Sequence, residues 1–176
     1  QNTNQRPMTA QRLAFISPRF SEQGTVGGAE TLLKKLAEHA AAAGRKVTFL
    51  TTCAESHFTW ENTLPPGTRR IGNIDVHYFP VDNRDVGAFL QIQQAICNKG
   101  FYSPADEDTW IRNSVNSQAL YQHLREHGAD YDRIVAGPYL FGLVYFAGLV
   151  HPDKTLLVPC LHDEPFAHLG IMKKLF

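Results

Sequence analysis

Leu13-Ala14-Phe15-Ile16-Ser17, followed by Pro18-Arg19-Phe20-Ser21-Glu22-Gln23-Gly24-Thr25-Val26-Gly27-Gly28-Ala29-Glu30, is the stretch whose reading decides the fold. The first five residues read as a buried strand. An amphipathic helix follows over Ala29 to Ala43. Its face is Ala29, Leu32, Leu33, Leu36, Ala37 and Ala40, at spacings of three and four, and Gly44 stops it. A strand that enters a helix through a glycine-rich loop leaves free backbone N–H groups at the helix start, backed by the positive end of the helix dipole. Such a mouth suits an anion, typically a phosphate, and Gly27 and Gly28 allow a ligand close to the backbone. The same pair also makes a plain strand-to-helix turn, and the loop alone leaves both readings open.

Working outward, Lys46 to Thr52 is a second strand, Pro65-Pro66-Gly67 a turn, and Ile74 to Phe79 an alternating strand. Helical stretches are expected at Val86 to Cys97 and Asp106 to His127. Short strands at Asp132 to Ala136 and Thr155 to Val158 flank a helix around Tyr139 to Leu149. Short strands alternating with helices imply βαβ units. The expected fold is therefore α/β: a Rossmann-like, doubly wound, mostly parallel sheet with helices on both faces. Residues 1–11 read as a flexible leader and 12–176 as the domain.

At 176 residues, 43% of them hydrophobic, the chain is long enough for one well-cored domain. Its zero net charge gives no electrostatic reason for nucleic acid or an anionic membrane as partner. Cys53, Cys97 and Cys160 are odd in number and lack C-x-x-C spacing, so they read as buried, reduced thiols of a cytoplasmic protein. No apolar run reaches the ~20 residues of a membrane helix. Lys34 and Lys35 admit peripheral membrane contact, but a solvated helix face explains them better.

In such sheets ligands sit beyond the carboxyl ends of the strands. That nominates the loops Pro18 to Gly28, Cys53 to Trp60, Gly137-Pro138-Tyr139 and Pro159 to His168. The last carries His162-Asp163-Glu164 directly after an apolar strand. Asp163 or Glu164 could simply start the next helix with Pro165 in its first turn, whereas His162 has no such packing reason to be there.

Other chemistries lack their residues. Gly24, Gly27 and Gly28 do not have G-x-G-x-x-G spacing, and Thr51-Thr52-Cys53 offers no acid for a ribose, which argues against a nicotinamide enzyme. No Gly-Lys-Ser/Thr follows the first strand, and no G-x-S-x-G occurs. His123 and His127 lack the H-E-x-x-H glutamate, so they read as solvated and no metal site is expected.

The first strand, Gly27-Gly28-Ala29-Glu30, the helix after it and the strand Val47 to Thr51 resemble the opening of a GT-B glycosyltransferase of family 4. Tyr131 to Val135, Gly137 to Phe141 and Val158 to Glu164 resemble later blocks of that family's N-terminal domain. The resemblance implies transfer of a sugar from a nucleotide-diphosphate-sugar donor to an acceptor hydroxyl with retention, with no cofactor and usually no metal. It implies Gly27 and Gly28 near the donor diphosphate and His162 as the catalytic residue beside the reacting bond. Tyr139, Asp163 and Glu164 are then expected on the hydroxyls of a carbohydrate or glycan acceptor, and acceptor-binding Arg19 on an anionic acceptor or the diphosphate. Members of the family add a second Rossmann domain that carries the nucleotide-sugar site and an E-x7-E element, and no such second domain is matched here. The chain is accordingly expected to be an acceptor-binding N-terminal fragment, inactive alone. A self-contained, non-catalytic Rossmann-like ligand-binding module is the alternative.

Overall fold

The structure is a computed structural model that describes residues 10–24 and 26–176. Most of the expected leader lies outside the described residues; Gln11 already lends its carbonyl to the Lys46 amide at 3.0 Å. Among the described residues six strands form one sheet: β1 (Arg12–Ile16), β2 (Lys46–Thr52), β3 (Gly67–Ile71), β4 (Ile74–Phe79), β5 (Arg133–Ala136) and β6 (Thr155–Leu157). Their order is β3-β4-β2-β1-β5-β6, parallel throughout except for the antiparallel β3–β4 pair. The chain winds away from β1 on one side and returns on the other, so the switch point lies between β1 and β5. The expected fold class is what is found.

Side-chain alternation along the strands feeds two cores. Leu13, Phe15, Val47, Phe49, Ile74 and Val76 face Leu33 and Ala37 of helix α1 (Gly28–Ala42). Ala14, Ile16, Leu50, Ile134 and Ala136 face the other way. There they meet Leu120 and Leu124 of one helix and Leu143, Val144 and Ala147 of another. With both faces covered, the central strands are apolar nearly throughout.

Helix α2 (Val86–Cys97) has the expected bounds, but the helix expected from Asp106 to His127 is two: α3 (Pro104–Arg112) and α4 (Gln118–His127). The residues between explain the break. Asn116 Nδ2 donates to the carbonyls of Ile111, Arg112 and Ser114 at 3.1, 3.0 and 3.2 Å, taking carbonyls that a continuing helix would have bonded. Ser117 Oγ then accepts from the Leu120 amide at 3.3 Å and caps α4. Helix α3 also starts earlier than expected, because Ser103 at the N-cap forms a capping box with Asp106 and Pro104 takes the first helical position.

Helix α5 (Gly142–Gly148) is shorter than expected. The unforeseen strand β3 is a polar edge, Gly67-Thr68-Arg69-Arg70-Ile71, without the apolar alternation that marks a strand in sequence. The cysteines are free, but only Cys53 is buried. Cys97, on the outward side of α2, is exposed and Cys160 is half-buried, which corrects the expectation of three buried thiols.

Candidate functional site

The loops after β1, β2, β5 and β6 are tied together at the carboxyl edge. Thr52 donates to the Pro18 carbonyl through its amide at 3.3 Å and its hydroxyl at 2.7 Å. The Gly137 amide donates to the Ile16 carbonyl at 3.1 Å, and the Tyr139 amide to the Pro159 carbonyl at 3.2 Å. Gly137 sits where only glycine fits: a Cβ there would lie 2.2 Å from the Val158 carbonyl oxygen. This stitching fixes the rim of the switch-point crevice.

Within the first loop, Arg19 and Glu30 form a buried ion pair. Arg19 Nε donates to Glu30 Oε1 at 3.0 Å and Nη2 to Glu30 Oε2. The same guanidinium holds the Val26 carbonyl at 2.9 Å and the Glu55 carbonyl at 3.2 Å, and lies 5.6 Å from the centre of the Trp60 ring. Burial raises the Glu30 pKa, while Arg19 works in the opposite direction. Arg19 therefore fastens the glycine loop to the loop after β2. A Cβ on Gly27 would come within 3.0 Å of Glu30 Oε2, so a small residue is needed beside the pair.

Gly27 begins α1 with no side-chain cap, which leaves the first-turn amides without an intrahelical acceptor. A Cβ on Gly28 would meet nothing within 4 Å. The backbone there faces open space, the arrangement an anion needs for close approach. Beside the loop lies a cavity of about 290 Å³ lined by Arg19, Phe20, Val26, Glu55, Arg69 and Tyr78.

The loop after β6 divides its polar residues. His162 and Asp163 are exposed. Asp163 Oδ1 is 3.2 Å from His168 Nε2. Glu164 is half-buried and accepts from the Tyr139 hydroxyl at 2.5 Å. Tyr139 itself is 1% exposed and packs in a third core with Trp110 and Met172. Burial and the Glu164 carboxylate raise the pKa of its phenol well above the ordinary tyrosine range.

The expected site residues thus form two clusters, Arg19 with Gly27 and Gly28, and Tyr139 with Glu164, with His162 and Asp163 exposed on the rim. Trp60 and Cys160 both hold positive φ, 57° and 53°, in loops at this edge, where non-glycine strain often accompanies function. Neither was singled out from sequence, where left-handed backbone leaves no mark. The Arg19–Glu30 pair was also missed, although an acid in the first turn of a helix after an arginine-bearing loop is a readable signal. Among the described residues, no group of three His, Cys, Asp or Glu side chains is arranged to hold a metal ion. No helix among them is long and apolar enough to cross a membrane.

No protein-family model matches the sequence. No curated protein matches it either. Among solved structures, the chain is similar in fold to an Escherichia coli trehalose-6-phosphate protein bound with UDP-2-fluoro glucose. The TM-score is 0.50 and the identity 13%, over 94% of this chain and 37% of that one. The chain thus spans little more than a third of its neighbour's length, and what the two share is a Rossmann-like α/β fold.

Proposed function

We propose that this chain is the acceptor-binding domain of a retaining GT-B glycosyltransferase, with the family 4 character its motifs resemble, that moves a sugar from a nucleotide-diphosphate sugar to an acceptor hydroxyl. The observation that carries this reading is the uncapped start of α1 at the switch point, with open space over Gly28 and a dedicated clamp, Arg19–Glu30, holding the loop. The fold neighbour's UDP-2-fluoro glucose supports it as the kind of ligand this architecture accommodates.

The chemistry asks for a leaving diphosphate stabilised electrostatically and an acceptor hydroxyl held against the anomeric carbon. The amides after Gly27 supply partial positive charge to the diphosphate. Arg19 acts as a positioning residue, since its donors are committed to the loop itself. The exposed imidazole of His162 donates a hydrogen bond beside the reacting carbon. Asp163 and Glu164 accept from acceptor hydroxyls, and Tyr139 orients the Glu164 carboxylate. On the front face, the acceptor oxygen bonds to the anomeric carbon as the bond to the diphosphate breaks. The diphosphate leaves with the electron pair and takes the acceptor's proton.

The test uses the full-length natural protein that contains this sequence, incubated with a panel of nucleotide-diphosphate sugars and carbohydrate acceptors. Acceptor-dependent release of nucleoside diphosphate is the expected result, reduced in Gly28→Val. Absence of turnover with every donor, together with unmoved Gly27 to Glu30 amide resonances on adding donor, overturns the reading in favour of a non-catalytic module.

A further inference from the structure

Away from the glycine loop, a cavity of about 380 Å³ opens where the break between α3 and α4 meets α5. Three arginines from three separate segments line it: Arg84 after β4, Arg112 at the end of α3 and Arg125 on α4. One carboxylate, Asp82, shares the lining, and it is already occupied in accepting the Gln118 amide at 2.9 Å. Of the three cations, Arg112 alone forms a salt bridge among the described residues, with Asp108 at 2.7 Å. Arg84 is half-buried, bonds only the Asn113 carbonyl at 3.3 Å among the described residues, and lies over the Phe89 ring at 5.5 Å. Arg125 bonds the neutral Gln122 side chain at 2.9 Å. Unpaired guanidiniums at a concave surface are electrostatically incomplete, and their forked donors match phosphate oxygens. Phe146 and Val150 give the same cavity an apolar wall.

We propose that this cavity is a binding site for an organic phosphomonoester, its phosphate held by Arg84, Arg112 and Arg125 and its organic part against Phe146 and Val150. The volume suits a ligand of the size of a phosphorylated sugar. Burial lowers the Arg84 pKa with no carboxylate to offset it, which an arriving anion would reverse. The site stands apart from the sugar-transfer reading, since none of its residues belongs to the glycine loop or the loop after β6. It does touch the edge crevice indirectly. Ser114 and Asn116 line the cavity while their neighbour Val115 packs with Ala54, Trp60 and Val81 beneath the edge loops.

The experiment is an NMR amide titration of the 176-residue protein with inorganic phosphate and, separately, glycerol 3-phosphate, at constant ionic strength. Saturable shifts at Asn83 to Arg84, Arg112 to Gln118 and Arg125 are expected, with glycerol 3-phosphate binding more tightly than phosphate. Arg84→Gln and Arg125→Gln should each weaken binding about tenfold or more. The control Arg133→Gln, at an exposed arginine of β5, should leave it unchanged. Should Arg84→Gln fail to fold, exposed Arg125 decides. Linear shifts, binding that survives Arg125→Gln, equal loss in the control, or no preference for the organic phosphate would each overturn the proposal.

Discussion

Replacing Arg19 with methionine tests whether the loop clamp is what shapes the candidate site. The substitution leaves Glu30, 4% exposed, as an unpaired buried acid, and removes the donors to Val26 and Glu55. Breaking a buried pair from one side costs about 3–5 kcal/mol, a large share of the roughly 5–15 kcal/mol that holds a domain together. With a urea m-value of about 1–3 kcal/mol/M, the unfolding midpoint should fall by about 2 M. The double variant Arg19→Met/Glu30→Leu removes the stranded charge and should recover much of the loss, because burial already raises the Glu30 pKa against the pull of Arg19. A group whose folded pKa is raised contributes stability below its unfolded pKa and loses it as pH rises through the folded value. Urea melts of the two singles and the double close the cycle. A midpoint shift under about 0.5 M for Arg19→Met at unchanged m, or single effects that simply add, would refute the clamp.

Gly28→Val in the full-length protein should fold normally, since a Cβ there meets nothing within 4 Å, yet lower kcat about 100-fold; thermal melting beside steady-state kinetics checks both, and a normal rate sinks the phosphate reading. His162→Ala should likewise lower kcat about 100-fold with little change in Tm, because the residue is exposed; loss of fold with normal turnover of the folded fraction would make it structural. Gly137→Ala should destabilise by about 1–3 kcal/mol in urea melts, because its Cβ would press on the Val158 carbonyl; an unchanged midpoint contradicts the close packing of the β5 and β6 loops. His123 is half-buried against the Tyr131 hydroxyl rather than solvated as expected from sequence. Burial and neighbouring His77 and His127 lower its pKa from 6.5 to about 4, against Glu126 and Asp130, so its share of stability is present above pH 6.5 and lost as pH falls toward 4. His123→Gln should flatten the Tm-against-pH curve in that window, and an unaltered slope counts against the assignment.

The central strands and α1 were legible because their apolar periodicity is also their energetic reason to exist: Leu13 to Ile16 and Lys46 to Thr52 line two cores. What escaped was written in polar residues. Strand β3 pairs through its backbone at an edge, so its side chains carry no period. The α3–α4 break depends on Asn116 reaching three carbonyls at once, a tertiary arrangement that local propensity reports only as a weak run of helix formers. At the site, loop position was readable and side-chain commitment was not. Nothing in Gly137-Pro138-Tyr139 foretells that the Tyr139 hydroxyl is spent on Glu164.

That distinction decides which groups of the glycine loop are left to hold an anion. From sequence, Arg19 is a cation placed to receive a negatively charged ligand. In the fold its charge is balanced by Glu30 and its donors are turned onto carbonyls of its own and the adjoining loop. What the mouth retains for an anion is the backbone: amides at the uncapped start of a helix of 15 residues, held still by a neutral pair. A site built this way binds by orientation of dipoles rather than by net charge, so its affinity should fall less steeply with salt than that of the arginine-lined cavity behind α3 and α4. Measuring nucleotide-sugar and phosphomonoester binding to the same protein across a salt series separates the two, and equal salt slopes would contradict the division of labour between backbone and guanidinium.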